Sequence, residues 1–233
     1  MNRPAGAPTE PASGGSRMAD PSEGEEIGGL ILASRSPRRR ELLRQAGYRF
    51  AIKPPESVED RAVPKAPTPG AYVESLAYLK ARSAIETHRL AKGLVLGADT
   101  AVELDGHILG KPRDEADARQ ILARLAGTTH RVLTGLALVE AATGQRRLAH
   151  AATTVHMRPM SAEEIEAYVT SGAAVGKAGA YGVQETADGV PGEVGDRYVQ
   201  RIEGSFTNLV GLPMELLERL LQAMGYDPQR FRD

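Results

Sequence analysis

The 233-residue sequence has no cysteine and no tryptophan. Without cysteine there is no disulfide scaffold, no thiolate zinc site, no iron–sulfur cluster and no thiol nucleophile. Three Phe and seven Tyr are the remaining large aromatics, a thin supply for stacking on single-stranded nucleic acid. Neither charge sign dominates: 29 basic residues face 30 acidic ones, for a formal charge of −1. A chain-wide electrostatic clamp on nucleic acid or on an acidic membrane is therefore not expected. No apolar run approaches the ~18 residues of a membrane helix, and the N-terminus lacks the apolar centre of a signal peptide. These absences leave a soluble, cytoplasmic α/β protein as the expectation.

Residues 1–26 contain no Ile, Val, Leu, Phe or Tyr, but hold four Pro and four Gly. Such a segment buries too little apolar surface to offset its ordering entropy. It reads as a disordered tail, with Met18 an alternative start. Residues 27–233 then form one domain of ordinary size, with no internal repeat.

Within that domain, strand and helix patterns alternate. Leu30-Ile31-Leu32-Ala33 and Leu94-Val95-Leu96-Gly97 are short continuous apolar runs, the pattern of strands covered on both faces. Ser36-Pro37 and Thr68-Pro69 are helix starts. The first helix ends at Gly47, and the second runs to about Leu90 with Tyr72, Leu76 and Leu79 inward. Asp105-Gly106 predicts a hairpin turn. A helix is expected from about Asp114 to Ala126, then a strand pair over 132–139 and 147–157. Ser161 with Glu164 is a capping box, and Pro213 opens a last helix that Gly225 stops. The pattern predicts a mixed sheet flanked by helices.

Several common active sites are absent. There is no G-x-S-x-G elbow, no H-E-x-x-H, and no G-x-G-x-x-G after a strand. Gly172 to Ala178 resembles a phosphate loop, but it is one residue short between its glycines and lacks the hydroxyl after Lys177.

Polar residues instead gather at strand and hairpin ends. Ser34 and Arg38 to Arg40 follow the first strand and open a helix. Arginines oppose the dipole of a helix start, so an arriving anion is the better account than a solvated basic patch. Asp99 follows the second strand, where a carboxylate polarises water or holds a metal, or merely caps a turn. Lys111, in Gly110-Lys111-Pro112, is either solvated or a phosphate contact. Lys80 lies at the edge of its helix's apolar face, where snorkelling is the plainer role. Glu59 and Asp60 are metal ligands or solvated acids in a Pro-rich loop. Gly176, Gly179 and Gly182 permit close approach to a ligand, with Gln184 able to read a base edge. Together these residues fit metal-assisted attack on a nucleoside polyphosphate.

The same residues form a recognisable series. L-I-L-A-S-R-S-P-R-R-x-E-L-L, L-G-A-D-T, L-G-K-P-R-D, K-A-G-A-Y-G-V-Q and V-G-L-P-M, in that order, resemble the Maf family of nucleoside triphosphate pyrophosphatases. The resemblance implies a mixed, twisted sheet with a deep substrate cleft, related to inosine triphosphate pyrophosphatases. It implies hydrolysis between the α and β phosphates with a divalent cation, Mg²⁺ or Mn²⁺, and it suggests a homodimer. By position, Asp99 would be the general base or water-orienting acid, and Asp60 or Glu59 would join it as a metal ligand. Ser34, Arg39, Lys80 and Lys111 would contact phosphate or developing charge. Arg38, Thr100 and Gln184 agree with the branch acting on dTTP and UTP rather than on 7-methyl-GTP. Three features depart from the family: the order Glu59-Asp60, a long acidic insertion over 185–196 that would act as a lid or alter base selection, and the N-terminal tail. The competing readings are the same chemistry on a modified purine triphosphate such as 7-methyl-GTP, a non-catalytic nucleotide sensor or cell-division regulator, and a nucleic-acid binder using Arg38 to Arg40.

Overall fold

The computed structural model describes residues 28–56, 66–183 and 197–232. In chain order the elements are β1 (Leu30–Ala33), α1 (Pro37–Gln45), β2 (Phe50–Ile52), α2 (Pro69–His88), β3 (Leu94–Leu104) and β4 (His107–Leu109). There follow α3 (Glu115–Leu125), β5 (Thr129–Glu140), β6 (Arg146–Met157), α4 (Ala162–Thr170), β7 (Val199–Glu203), α5 (Phe206–Val210) and α6 (Met214–Ala223). The strands form one sheet in the order β2-β1-β3-β5-β6-β7, with β4 added to β3. β1 is parallel to β2 and β3, and all other pairings are antiparallel. The expected mixed α/β sheet is present.

Helix starts lie where the capping residues predict. Ser36, Thr68, Asp114 and Ser161 each accept a backbone N–H of the first helical turn through their side chains, and the Ser161–Glu164 capping box is closed in both directions. Each cap satisfies a donor that the helix itself leaves open. β2, β7 and α5 were not anticipated. Their three to five residues are too few to show a period.

The inward face of α2 differs from expectation. Val73, Leu76, Ala77, Ala81 and Ala84 are buried, while Tyr72 and Leu79 are only partly covered. The reason lies on the sheet, because α2 passes directly over Gly97 of β3 and Gly135 of β5. A Cβ at Gly97 would lie 2.1 Å from the Ala77 carbonyl oxygen, and one at Gly135 would lie 2.3 Å from the Val73 carbonyl carbon. Leu76 is inward as expected, but backbone meets backbone over Gly97, so the residues facing that glycine are the small Ala77 and Ala81. On the opposite face, Leu32, Leu96, Leu136 and Leu138 pack with Leu43, Leu212, Leu217 and Leu221. A second cluster under α3 and α4 holds Val102, Leu122, Leu125, Tyr181 and Tyr198. Among the described residues no helix is long and apolar enough to cross a membrane.

β3 is one continuous strand rather than two short pieces, and its neighbours change along its length. β1 pairs with it as far as Ala33 opposite Gly97. β4 takes up the same edge only from Val102 opposite Leu109. Ala98 to Ala101 thus have β5 on one side and, among the described residues, no strand on the other. The sheet is open there.

Candidate active site

This opening is the floor of a cleft of about 700 Å³. Asp99 was expected just after a strand. It lies in mid-strand, yet the gap leaves it where a strand end would, at the point where parallel pairing stops. Crevices at such changes of connectivity are where open α/β sheets bind ligands. Side chains alternate along a strand, so Asp99 and Thr100 reach the cleft from opposite faces of the sheet.

On the α2 face, Lys80 Nζ donates to Asp99 Oδ1 at 2.5 Å, and both side chains are largely buried at 14% and 13% exposure. The close seating of α2 on Gly97 makes this contact possible, since Lys80 lies between Ala77 and Ala81. Lys80 therefore does not snorkel to solvent. It is half of a largely desolvated ion pair, where attraction is much stronger than at the surface.

On the other face, Arg39 spans the opening. Its Nε donates to the Gly211 carbonyl at 2.8 Å, Nη1 to the Ala98 carbonyl at 2.9 Å and to Ser34 Oγ at 3.3 Å, and Nη2 to Thr100 Oγ1 at 3.1 Å. Burial lowers its pKa to about 10, with the Asp99 charge partly restoring it and Arg38 depressing it further. A guanidinium has five N–H donors, and four are already directed at the protein. Arg39 is thus mainly a strap that closes the unpaired edge of β3 and ties α1 to the segment after α5. Gly211 has φ +109, and a Cβ there would press on Thr100 Oγ1 at 3.3 Å. The V-G-L-P-M segment therefore needs its glycine to bring a carbonyl against Arg39. Ser34, 5% exposed, also accepts the Ser36 N–H at 3.1 Å, which shapes the turn from β1 into α1.

Cations dominate the remaining polar lining. Arg35, Arg38, Arg39, Lys80, Lys111 and Lys177 line the cleft against two carboxylates, Glu56 and Asp99. A chain with formal charge −1 has gathered an excess of positive charge in one hollow. Beyond the cations the wall is apolar, with Val102, Val132, Tyr181, Val183, Leu209 and the 71%-exposed Val175. Buried His130 Nε2 lies 2.7 Å from Tyr181 Oη; burial, with a smaller effect of His156, lowers the His130 pKa to about 4, so the ring is neutral.

Of the residues expected from sequence, Ser34, Arg38, Arg39, Lys80, Asp99, Thr100 and Lys111 all line this one cleft. Glu59, Asp60, Gln184 and the insertion 185–196 lie outside the described residues, as do 1–26. The glycines of 176–182 need a different account from the one expected. A Cβ at Gly179 would strike Val102 Cγ2 at 2.6 Å, and one at Gly182 would lie 3.0 Å from Lys177 Nζ. Two of the three make room for the protein's own side chains rather than for a ligand. Sequence reading passed over Lys177, Glu56 and Tyr181 as site residues. The nearest signal was the K-A-G-A-Y-G segment itself, in which Lys177 and Tyr181 were already visible.

Among the described residues no three His, Asp or Glu side chains gather as a metal cage. Mg²⁺ seldom needs one, because it takes one or two carboxylates and completes its shell with phosphate and water. Glu56 and Asp99, both lining the cleft, are hard oxygen donors of that kind, and they fit such an ion.

Comparison with known proteins identifies the family. Residues 29–224 match the family model described as Maf-like protein. A dTTP/UTP pyrophosphatase of Symbiobacterium thermophilum is 45% identical over 197 residues, covering 84% of this chain and 94% of that protein. One from Moorella thermoacetica is 46% identical over 198 residues, covering 85% and 96%. Among solved structures, a nucleoside-triphosphatase, or dITP/XTP pyrophosphatase, of Mycobacterium abscessus aligns over 84% of this chain and 94% of its own. Its identity of 15% and TM-score of 0.37 are too low to carry an argument. The family match spans β1 to the end of α6 and includes every described residue of the cleft: this chain belongs to the Maf family.

Proposed function

We propose that the protein is a nucleoside triphosphate pyrophosphatase that hydrolyses dTTP and UTP at the α–β phosphate bond. The observation that carries this reading is the union of six cations with the Lys80–Asp99 pair at the opening in the sheet. A triphosphate requires that excess of positive charge. The apolar wall of Val102, Val132 and Tyr181 suits a base. The names of the curated relatives agree with the substrate pair, and Arg38 and Thr100 are the described residues that favour it over 7-methyl-GTP.

In the reaction, Asp99 takes a proton from water as the water oxygen bonds to the α phosphorus. The α–β bridging bond breaks, and its electron pair leaves on pyrophosphate. Lys80 holds the Asp99 carboxylate in orientation between turnovers through the 2.5 Å contact. Arg38, Lys111 and Lys177 compensate the phosphate charge, while Arg39 offers at most one N–H and chiefly keeps the floor rigid. A divalent cation, Mg²⁺ or Mn²⁺, would be held by Asp99 and Glu56, with Glu59 or Asp60 as the further ligand that the sequence offers, and would neutralise phosphate charge. The family resemblance adds a cytoplasmic homodimer to this proposal, with a nucleotide rather than nucleic acid or a membrane as its partner.

With Mg²⁺, purified protein should convert dTTP to dTMP and pyrophosphate, while a matched purine panel turns over more slowly. Orthophosphate as the first product would refute the cleavage position. A panel led by 7-methyl-GTP would refute the substrate pair.

A further inference from the structure

Thr134 and Asn208 are completely buried polar residues outside the lining of the cleft. We propose that Thr134, locked by Asn208, is a positioning residue for the Arg39–Thr100 side of the site. The proposal rests on the reading of that cleft as a nucleotide site and names a residue outside it on which the site depends.

Hydrogen-bond accounting fixes the direction of the contact chain. Arg39 Nη2 donates to Thr100 Oγ1 at 3.1 Å. Thr100 Oγ1 and Thr134 Oγ1 are 3.0 Å apart, and Thr134 Oγ1 donates to the Asn208 carbonyl at 3.1 Å. A threonine hydroxyl has one proton, and a carbonyl only accepts. Thr134 therefore gives its proton to Asn208 and must accept from Thr100. Thr100, its proton spent inward, presents only a lone pair to Arg39. The series runs one way, from Arg39 through Thr100 and Thr134 to the Asn208 carbonyl.

The far end of this series is held firmly. Asn208 Nδ2 donates to the Val132 carbonyl and to Thr153 Oγ1, both at 2.9 Å, and Thr153 Oγ1 donates to the Ser205 carbonyl at 3.0 Å. These bonds fasten α5 to β5 and β6. α5 leads directly into Gly211, whose carbonyl takes Arg39 Nε at 2.8 Å. Both ends of the Arg39 guanidinium are thus referenced to one short helix. Both protons of Asn208 Nδ2 are used in this way, and although its Oδ1 has no partner among the described residues, buried bonds of this kind rigidify what they join. Thr100 consequently serves the site by holding Arg39 and has no proton to give a substrate base.

The test separates the hydroxyl of Thr134 from its methyl group. Thr134→Val keeps the shape and removes the hydroxyl; Thr134→Ser keeps the hydroxyl and removes the methyl. We expect Thr134→Val to lose at least tenfold in kcat/KM for dTTP, with Thr134→Ser within about threefold of wild type. A purely packing role predicts the reverse order, since serine leaves a void and valine does not; that order would overturn the proposal, as would two variants equal to wild type. An activity-independent readout is the Arg39 side-chain N–H signals in NMR. They should be slowly exchanging in wild type and Thr134→Ser and broadened in Thr134→Val; unchanged signals in Thr134→Val would also overturn it. Where Thr134→Val does not fold, Thr134→Ala against Thr134→Ser gives the same contrast. A wild-type protein inactive on every triphosphate would sink the functional reading, while the NMR contrast would still decide the positioning claim.

Discussion

A methyl group added at position 97 is the smallest change that separates α2 from the sheet. The Cβ of Gly97→Ala would lie 2.1 Å from the Ala77 carbonyl oxygen and 2.9 Å from the Ala81 nitrogen. Non-bonded heavy atoms rest at roughly 3.5 Å, so the helix must retreat by about 1.4 Å. Both neighbours are main chain, and no rotamer change relieves the clash. Overpacking of a tight core costs about 1–3 kcal/mol, and a backbone clash belongs near the upper figure. At about 2–4 °C per kcal/mol for a chain of this size, the midpoint of thermal unfolding should fall by roughly 6–12 °C. Lys80 rides on the displaced turn, so Nζ moves off Asp99, and a shift of that size costs on the order of 10²-fold in rate. The assay pairs a thermal melt with kcat/KM for dTTP, and Gly29→Ala, with nothing within 4 Å of its added Cβ, is the control. An unchanged melt and unchanged turnover for Gly97→Ala would refute the claim that α2 is seated by that glycine.

Asp99→Asn keeps the shape of the carboxylate but removes its charge and basicity, and kcat should drop by about 10²–10⁴-fold; stopped-flow release of pyrophosphate measures it. Burial keeps His130 neutral in the native state, with a pKa near 4 against 6.5 when unfolded. Between those values the unfolded chain binds a proton that the native chain refuses, so stability falls as pH drops through that window, by about 3 kcal/mol. Urea midpoints from pH 7 to 4 should show this acid limb, flattened in His130→Phe; equal limbs would contradict it. Ser161→Ala opens the capping box of α4 and should lower stability by about 1 kcal/mol with turnover unchanged, as read by urea melts beside the same dTTP assay.

Local signals carried much of the fold. Ser36-Pro37, Thr68-Pro69, Asp114 and Ser161 each state a helix start in the residues themselves, and Asp105-Gly106 states the β3–β4 turn, with φ of +51 and +81. The inward face of α2 was misread because its determinant is not on the helix. It is Gly97 and Gly135, far away in sequence, that decide how close α2 approaches. The same distance hid the arrangement of the site. Ser34, Arg39, Asp99 and Lys111 were visible as residue types in suggestive places, but the gap in the sheet between β1 and β4 is a property of pairing. Arg39 reads in sequence as a phosphate ligand, and nothing local announces its four acceptors, which come from three separate segments.

Attack of water on the α phosphorus at the cleft floor beside Asp99 fixes where the new oxygen must appear. Hydrolysing dTTP in ¹⁸O-water with Mg²⁺ and weighing both products should find one ¹⁸O atom in dTMP and none in pyrophosphate. Label in pyrophosphate, or in orthophosphate released first, would contradict it.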